Sequence, residues 1–390
     1  MIRFGYVAAA LLILVGLVGC GSASTTSEVS TKSSAEQQLA MKESLGRKLY
    51  FDATLSEPAG QSCASCHLPS AGFADPDSEL PVSRGVNPAH FGNRNTPAIG
   101  YVGFTPEFHF DEKEGLYIGG LFYDGRAATL AEQAKGPLLN PLEMGNPDAA
   151  AVVTKVQLAD YAPLFKQLYG EHAFSDTGKA YDQIADALAT FEHSQFFSPF
   201  NSKYDGYLRG KVQLSASEKR GLEIFNDEKR GNCAACHPSE KLENGSHPLF
   251  TDYSYDNIGV PKLKQNPFYH LDRTFNPDGE KVIDLGLGGV LKKPEENGKF
   301  KVPTLRNVAL TAPYMHNGFF NTLEEVVEFY NSRDKSHKWG RPEVADNVND
   351  EELGDLKLSA QEMKDLVAFM QTLSDGYLPT PFIPQWQHTQ

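Results

Sequence analysis

The sequence predicts a mainly α-helical fold in two similar halves, with long irregular loops between the helices. Three Ser/Thr-x-x-Glu boxes open apolar-periodic runs. A short cysteine motif occurs twice, and a longer motif repeats at a constant offset. At 390 residues the chain has room for two domains. Hydrophobic residues make up 40% and charged residues 22%, which argues against disorder as the main state. The net charge is -14 and no basic run stands out, which argues against nucleic acid as a partner.

From the N-terminus, Arg3 precedes an apolar stretch from Val7 to Val18 that is too short for a stable membrane span. With Leu17-Val18-Gly19-Cys20 it resembles a bacterial lipoprotein signal, residues 1–20, which would leave Cys20 bearing lipid. An ordinary export signal with an incidental cysteine is the alternative. Residues 21–35 are Ser/Thr-rich and suit a flexible tether. The expected location is therefore the periplasm, anchored by lipid to a bacterial membrane. Helices are expected over 36–50, 149–169 and 178–195. Three more should follow the boxes Ser215 with Glu218, Thr322 with Glu325, and Ser359 with Glu362. The last leads into Met363, Leu366, Val367, Met370 and Leu373. The Gly/Pro-rich stretches 68–123 and 238–303 read as loops, of a length that suits wrapping a cofactor or ordering a metal.

Setting Cys20 aside, the remaining cysteines all lie in Cys63-Ala64-Ser65-Cys66-His67 and Cys233-Ala234-Ala235-Cys236-His237. None is left for a structural disulfide, the usual use in an exported protein. Cys-x-x-Cys-His is the c-type haem attachment pattern, with two thiols for the porphyrin vinyl groups and a histidine for the iron. A zinc ribbon would bring its cysteine pairs within about 15 to 20 residues, whereas these begin 170 apart. A redox Cys-x-x-Cys has no need of the following histidine twice. Two covalent haem c groups follow, on two cytochrome c-like haem domains, 36–200 and 201–378, with a tail at 379–390.

Gly46-x-x-Leu49-Tyr50 before the first motif echoes Gly221-x-x-Ile224-Phe225 before the second. Asp124-Gly125-x-x-x-Thr129-Leu130-x-Glu132 matches Asn317-Gly318-x-x-x-Thr322-Leu323-x-Glu325, each pair offset by 193. The same offset sets Pro137 opposite Tyr330. One half would offer a side chain able to ligate iron where the other offers a ring that cannot. An open coordination position on the first haem follows, and open positions bind small oxidants whereas six-coordinate haems mostly move electrons.

Further motifs are Leu45-Gly46-Arg47-Lys48-Leu49-Tyr50-Phe51-Asp52, Asn93-Arg94-Asn95-Thr96-Pro97, Asp124-Gly125-Arg126-Ala127, Glu132-Gln133-Ala134-Lys135-Gly136-Pro137, Glu143-Met144, and Pro303-Thr304-Leu305-Arg306-Asn307 running to Pro313-Tyr314-Met315-His316. With these the chain, from about Ser44 to Leu373, resembles the bacterial diheme cytochrome c peroxidase / MauG family. The resemblance implies that the N-terminal domain is peroxidatic, with His67 as proximal ligand, and that the C-terminal domain transfers electrons, with His237 as proximal ligand. It puts Glu143 where the family keeps a distal carboxylate, and Gln133 where it keeps a distal amide. A carboxylate suits the general acid-base task of moving a proton between the peroxide oxygens.

For the sixth ligand of the second haem, residue types alone favour Met315 or His316. The peroxidases of the family instead carry a ligand Met at the position of Tyr330, where MauG, like this chain, has Tyr. A phenolate stabilises oxidised iron, whereas a thioether raises the potential. Peroxidases that need reductive activation also place a removable His after the first motif, where this chain has Val86 in Ser83-Arg84-Gly85-Val86. His90 lies four residues further on and reads as a surface-loop histidine, so the first haem should be open without activation. The family's tryptophan between the haems falls at Tyr123, and MauG's surface tryptophan before its second motif falls at Gly231, which speaks against the same protein substrate. Trp339 and Trp386 match no family role. A calcium ion would take Asn95 through its side chain and Thr311 and Pro313 through backbone carbonyls. Many relatives pair as homodimers, which the resemblance allows here.

Three functions stand at this point. One is a peroxidase that reduces hydrogen peroxide with electrons from a small periplasmic redox protein. Another is a MauG-like modifying oxidase that uses peroxide to oxidise aromatic residues of a partner protein. The third is a non-catalytic diheme electron carrier, against which Glu143, Gln133 and Pro137 argue, because a carrier needs no distal acid-base groups.

Overall fold

The computed structural model describes residues 33–241 and 245–379. The signal, Cys20, most of the tether and the end of the tail lie outside the described residues. Helix α1, Ser34–Phe51, begins inside the stretch read as tether, because Ser33 and Glu36 form a capping box that the sequence reading passed over. A single turn, α2 (Cys63–Cys66), carries the first cysteine motif. Strands β1 (His109–Asp111) and β2 (Leu116–Ile118) pair antiparallel, His109 opposite Ile118. Helix α3, Leu130–Leu139, follows with Thr129 as its N-cap.

The helix expected over 149–169 is two helices, α4 (Ala149–Leu158) and α5 (Ala162–Tyr169). Pro163 explains the break: without an N–H it cannot continue a helix, yet it fits the first turn of a new one. Helix α6, Thr177–Glu192, crosses α1 and stops short of 195, with His193 as its C-cap.

The second half starts with a short helix that the sequence reading missed, α7 (Lys203–Leu208), capped by Ser202 and Asp205. Helix α8 (Ala216–Asn226) precedes the second cysteine motif. The loop beyond it contains β3 (Tyr255–Asp256), α9 (Gly286–Leu291) and β4 (Phe300–Lys301), with Tyr255 opposite Lys301. Helices α10 (Leu323–Ser332) and α11 (Ala360–Gln371) open with the boxes at Thr322 and Ser359, and α8 with that at Ser215.

Each half has its own core. Leu45, Leu49, Tyr50, Ile184, Leu188 and Phe191 centre the first, and Phe225, Phe250, Leu366 and Phe369 the second. Gly46 and Gly221 let the paired helices touch: a Cβ on Gly46 would overlap the Ala187 carbonyl, and one on Gly221 the Asp365 carbonyl. A buried ion pair and a hydrogen bond join the halves. Arg94 holds Asp284 through Nε at 2.6 Å and Asp124 through Nη1 at 2.6 Å, and Tyr101 donates to Asp375 Oδ1 at 2.8 Å. Among the described residues no helix is long and apolar enough to cross a membrane.

Candidate active site

Both cysteine motifs line one cavity of about 450 Å³ that runs between the halves. Its four cysteines are free, so each is available for a thioether. The two histidines are held alike. His67 Nδ1 lies 3.2 Å from the carbonyl oxygen of Phe73, and His237 Nδ1 lies 2.8 Å from that of Phe250. An Nδ1–H donated to a carbonyl fixes the tautomer that leaves Nε2 for a metal. Burial lowers the pKa of both imidazoles, that of His67 to about 4, so they are neutral. Phe73 and Phe250 both have positive φ, 64° and 54°, which turns their carbonyls onto the histidines. Sequence reasoning had no means to find these carbonyls, which depend on backbone shape and not on side-chain type.

The repeat at offset 193 is also structural. Leu121 bridges Ala127 as Tyr314 bridges Phe320. Gly125 and Gly318 have φ of 71° and 69°. Glu132 Oε2 accepts from the Ala128 N–H and Glu325 Oε2 from the Asn321 N–H, both at 2.8 Å. Thr129 and Thr322 cap α3 and α10. Pro137 on α3 and Tyr330 on α10 therefore occupy equivalent places, and both line the cavity. Burial, then the nearby Cys236 and Cys233, push the Tyr330 phenol well above its ordinary value.

Gln133 stands one helical turn before Pro137 and lines the same wall, as does Glu143. Burial raises the Glu143 pKa, opposed by a 2.7 Å hydrogen bond from Asn140 Nδ2 and by the charge of Arg126. The loop that would carry an activating histidine is docked beside it, with the Val86 N–H donating to the Glu143 carbonyl at 2.8 Å. Neither Val86 nor His90 lines the cavity. His90 is held outside it, Nδ1 lying 2.9 Å from the Pro141 carbonyl oxygen.

Tyr123, Asn95, Thr311 and Pro313 also line the cavity. Asn95 donates from Nδ2 to the Pro81 carbonyl at 3.1 Å, which turns its amide oxygen to other use. Met315 and His316 border the cavity too, but the His316 ring lies flat on Phe300, with centroids 3.6 Å apart. Trp339 packs on Phe320 and Phe329, and Trp386 is outside the described residues. The charged groups in the wall that the sequence reading passed over include Glu192 and Lys301. The signal for Glu192 was present: it stands four residues after Leu188 on the apolar face of α6.

Two helical halves around one cavity, each with a Cys-x-x-Cys-His motif and an oriented histidine, define a diheme c-type cytochrome with one asymmetric wall. The family model described as di-haem cytochrome c peroxidase matches residues 40–213. The chain is 40% identical over 349 residues to the methylamine utilization protein MauG of Paracoccus denitrificans, covering 85% of this chain and 88% of that one. It is 31% identical over 333 residues to the cytochrome c551 peroxidase of Pseudomonas aeruginosa, covering 85% and 78%. Its fold is similar to that of the diheme peroxidase BthA of Burkholderia thailandensis, with a TM-score of 0.76 and 33% identity over 87% of this chain and 88% of that one. The chain belongs to the diheme cytochrome c peroxidase and MauG family, and it is a haem oxidoreductase with two c-type haems.

Proposed function

We propose that hydrogen peroxide reacts at the N-terminal haem, held by Cys63, Cys66 and His67, and that the oxidising equivalents pass through a C-terminal haem held by Cys233, Cys236, His237 and Tyr330 to a protein partner. The carrying observation is the equivalence of Pro137 and Tyr330 on α3 and α10. A pyrrolidine ring ligates nothing, so Pro137 would leave the first haem open to peroxide, while the Tyr330 phenol would help to hold the second. The bound haem supplies the electrons that break the O–O bond.

The chain's own groups handle the protons. Glu143 would accept a proton from one peroxide oxygen and return it to the other, which departs as water. Its raised pKa suits a group that must both take and give a proton. Gln133 orients the oxidant through its amide, and Asn140 holds the Glu143 carboxyl in place. Tyr123 lies in the wall shared by the two halves and assists transfer between them. A calcium ion held by Asn95, Thr311 and Pro313 would stiffen this region. The protein acts in the periplasm, tethered through Cys20.

Tyr330 favours one version of this function, a MauG-like oxidase acting on aromatic residues of a partner protein, over a peroxidase fed by a small redox protein. An anionic ligand stabilises iron above the ferrous state. The test is electron paramagnetic resonance of the ferric protein with and without Tyr330→Phe. One high-spin and one low-spin haem are expected, with the low-spin signal lost in the variant. An unchanged low-spin signal would remove Tyr330 from the iron.

A further inference from the structure

Glu192 ends α6 as a buried acid on an otherwise apolar face, 7% exposed and lining the cavity beside Cys63. Among the described residues no group hydrogen-bonds its carboxyl, and burial pushes it up to about 8. No charge on the packed elements offsets that shift. On α1, Lys42 pairs with Asp186, and Arg47 lies over Phe191 and Phe196. On α3, Lys135 pairs with Asp182, and Glu132 caps its own helix. On α4, Lys155 pairs with Glu57. The turn at 102–104 carries no titratable side chain, and His193 follows on the chain beside Gly103. The groups that feel the Glu192 charge are Tyr50 of α1 and Cys63 of α2, neither a cation.

The sister half lacks this acid. Gly46 meets Ala187 and Phe191, and Gly221 meets Asp365 and Phe369, each at an offset of 178. That offset sets Leu188 opposite Leu366 and Glu192 opposite Met370, and all four line the cavity. Packing alone is met by Met370, so the acid in the peroxidatic half calls for a chemical reason. An unpaired buried carboxylate is costly, and the remaining source of positive charge beside Cys63 is the ferric haem itself.

We propose that Glu192 is the redox-linked proton site of the N-terminal haem. When the ferric centre takes one electron from a low-potential redox protein, the Glu192 carboxylate takes one proton from solvent; when the electron leaves, the proton leaves with it. A ferric haem carries one more positive charge than a ferrous one, so it favours the ionised carboxyl, and reduction removes that support. This rests on Cys63, Cys66 and His67 holding a haem.

The test is a spectroelectrochemical titration of the holoprotein, Glu192→Gln and Glu192→Met from about pH 6 to 9, together with redox-difference infrared spectra. The N-terminal haem of the wild type should fall in potential as pH rises, approaching one proton per electron. In both variants that dependence should vanish while the C-terminal haem is unaffected. A protonated-carboxyl band should grow on reduction and be absent from the variants. Glu192→Met restores the residue of the sister half, so it serves should the amide fail to fold. Two haems with an unchanged pH dependence in the variants would overturn the proposal alone. A chain with no haem on the first motif would overturn the site reading, and the proposal with it.

Discussion

Glu143, the proposed acid-base group, is a loop residue held in place by its neighbours. Asn140 Nδ2 donates to Glu143 Oε1 at 2.7 Å, burial raises the carboxyl pKa, and the Val86 N–H pins the Glu143 backbone. Glu143→Gln should slow the reaction with peroxide by about 10² to 10⁴, the usual value of a positioned acid-base group, with both haems retained by optical absorbance. The proton acceptor must be ionised to act. Because its pKa is raised, the rate should fall as pH drops through a value above the ordinary Glu range of about 4.3, and that limb should be missing from the variant in stopped-flow measurements. These residues were legible as types at spacings, as were the haem motifs. What was not legible was their support: the Phe73 and Phe250 carbonyls depend on positive φ, and the docking of Val86 on Glu143 spans 57 positions of chain.

At the scale of elements, the two halves repeat one helix crossing. Gly46 and Gly221 bring backbone against backbone, so alanine at either would overlap a carbonyl oxygen. Alanine gains about 1 kcal/mol in helix propensity, but overpacking typically costs about 1–3 kcal/mol, and here the atom struck belongs to a helix backbone and cannot rotate away. Gly46→Ala and Gly221→Ala should both melt at lower temperature by circular dichroism. Equal or higher melting would mean that the helices separate freely. The helices with capping boxes at Ser215, Thr322 and Ser359 were readable in advance, since the box itself satisfies the first N–H groups. The run at 149–169 was not, because its apolar period continues across the break at Pro163. Helix α7 was missed for its length, six residues whose capping box has Asp205 at the third position in place of Glu.

Over the whole molecule, buried ion pairs hold the cavity walls in place. Asp284 pairs with Arg94 across the halves, and Asp205 pairs with Arg306 at 3.0 Å, with His247 Nδ1 at 2.5 Å from its other oxygen. Burial alone would raise both carboxyl pKa values, but the guanidinium charges and hydrogen bonds hold each at about 2. A carboxyl depressed in the folded state contributes stability above its unfolded value, and that contribution is lost as pH falls from about 4 towards 2. Thermal melts should therefore drop steeply across that window. Asp205→Asn leaves the Arg306 guanidinium buried without its counter-charge. Breaking such a pair costs about 3–5 kcal/mol, so this variant should melt well below the wild type at pH 7. None of these partners was readable from sequence, since Asp205 and Arg306 lie 101 positions apart.

The asymmetry between Pro137 and Tyr330 is the feature on which the functional account turns. It is tested most directly by adding one equivalent of hydrogen peroxide to the isolated all-ferric holoprotein, without reductant, and following the optical and near-infrared spectrum. Peroxide should be consumed rapidly, and the spectra of both haems should change together. No reaction until the C-terminal haem is reduced would contradict it, and would mean that the first position is closed by a ligand other than those lining this cavity.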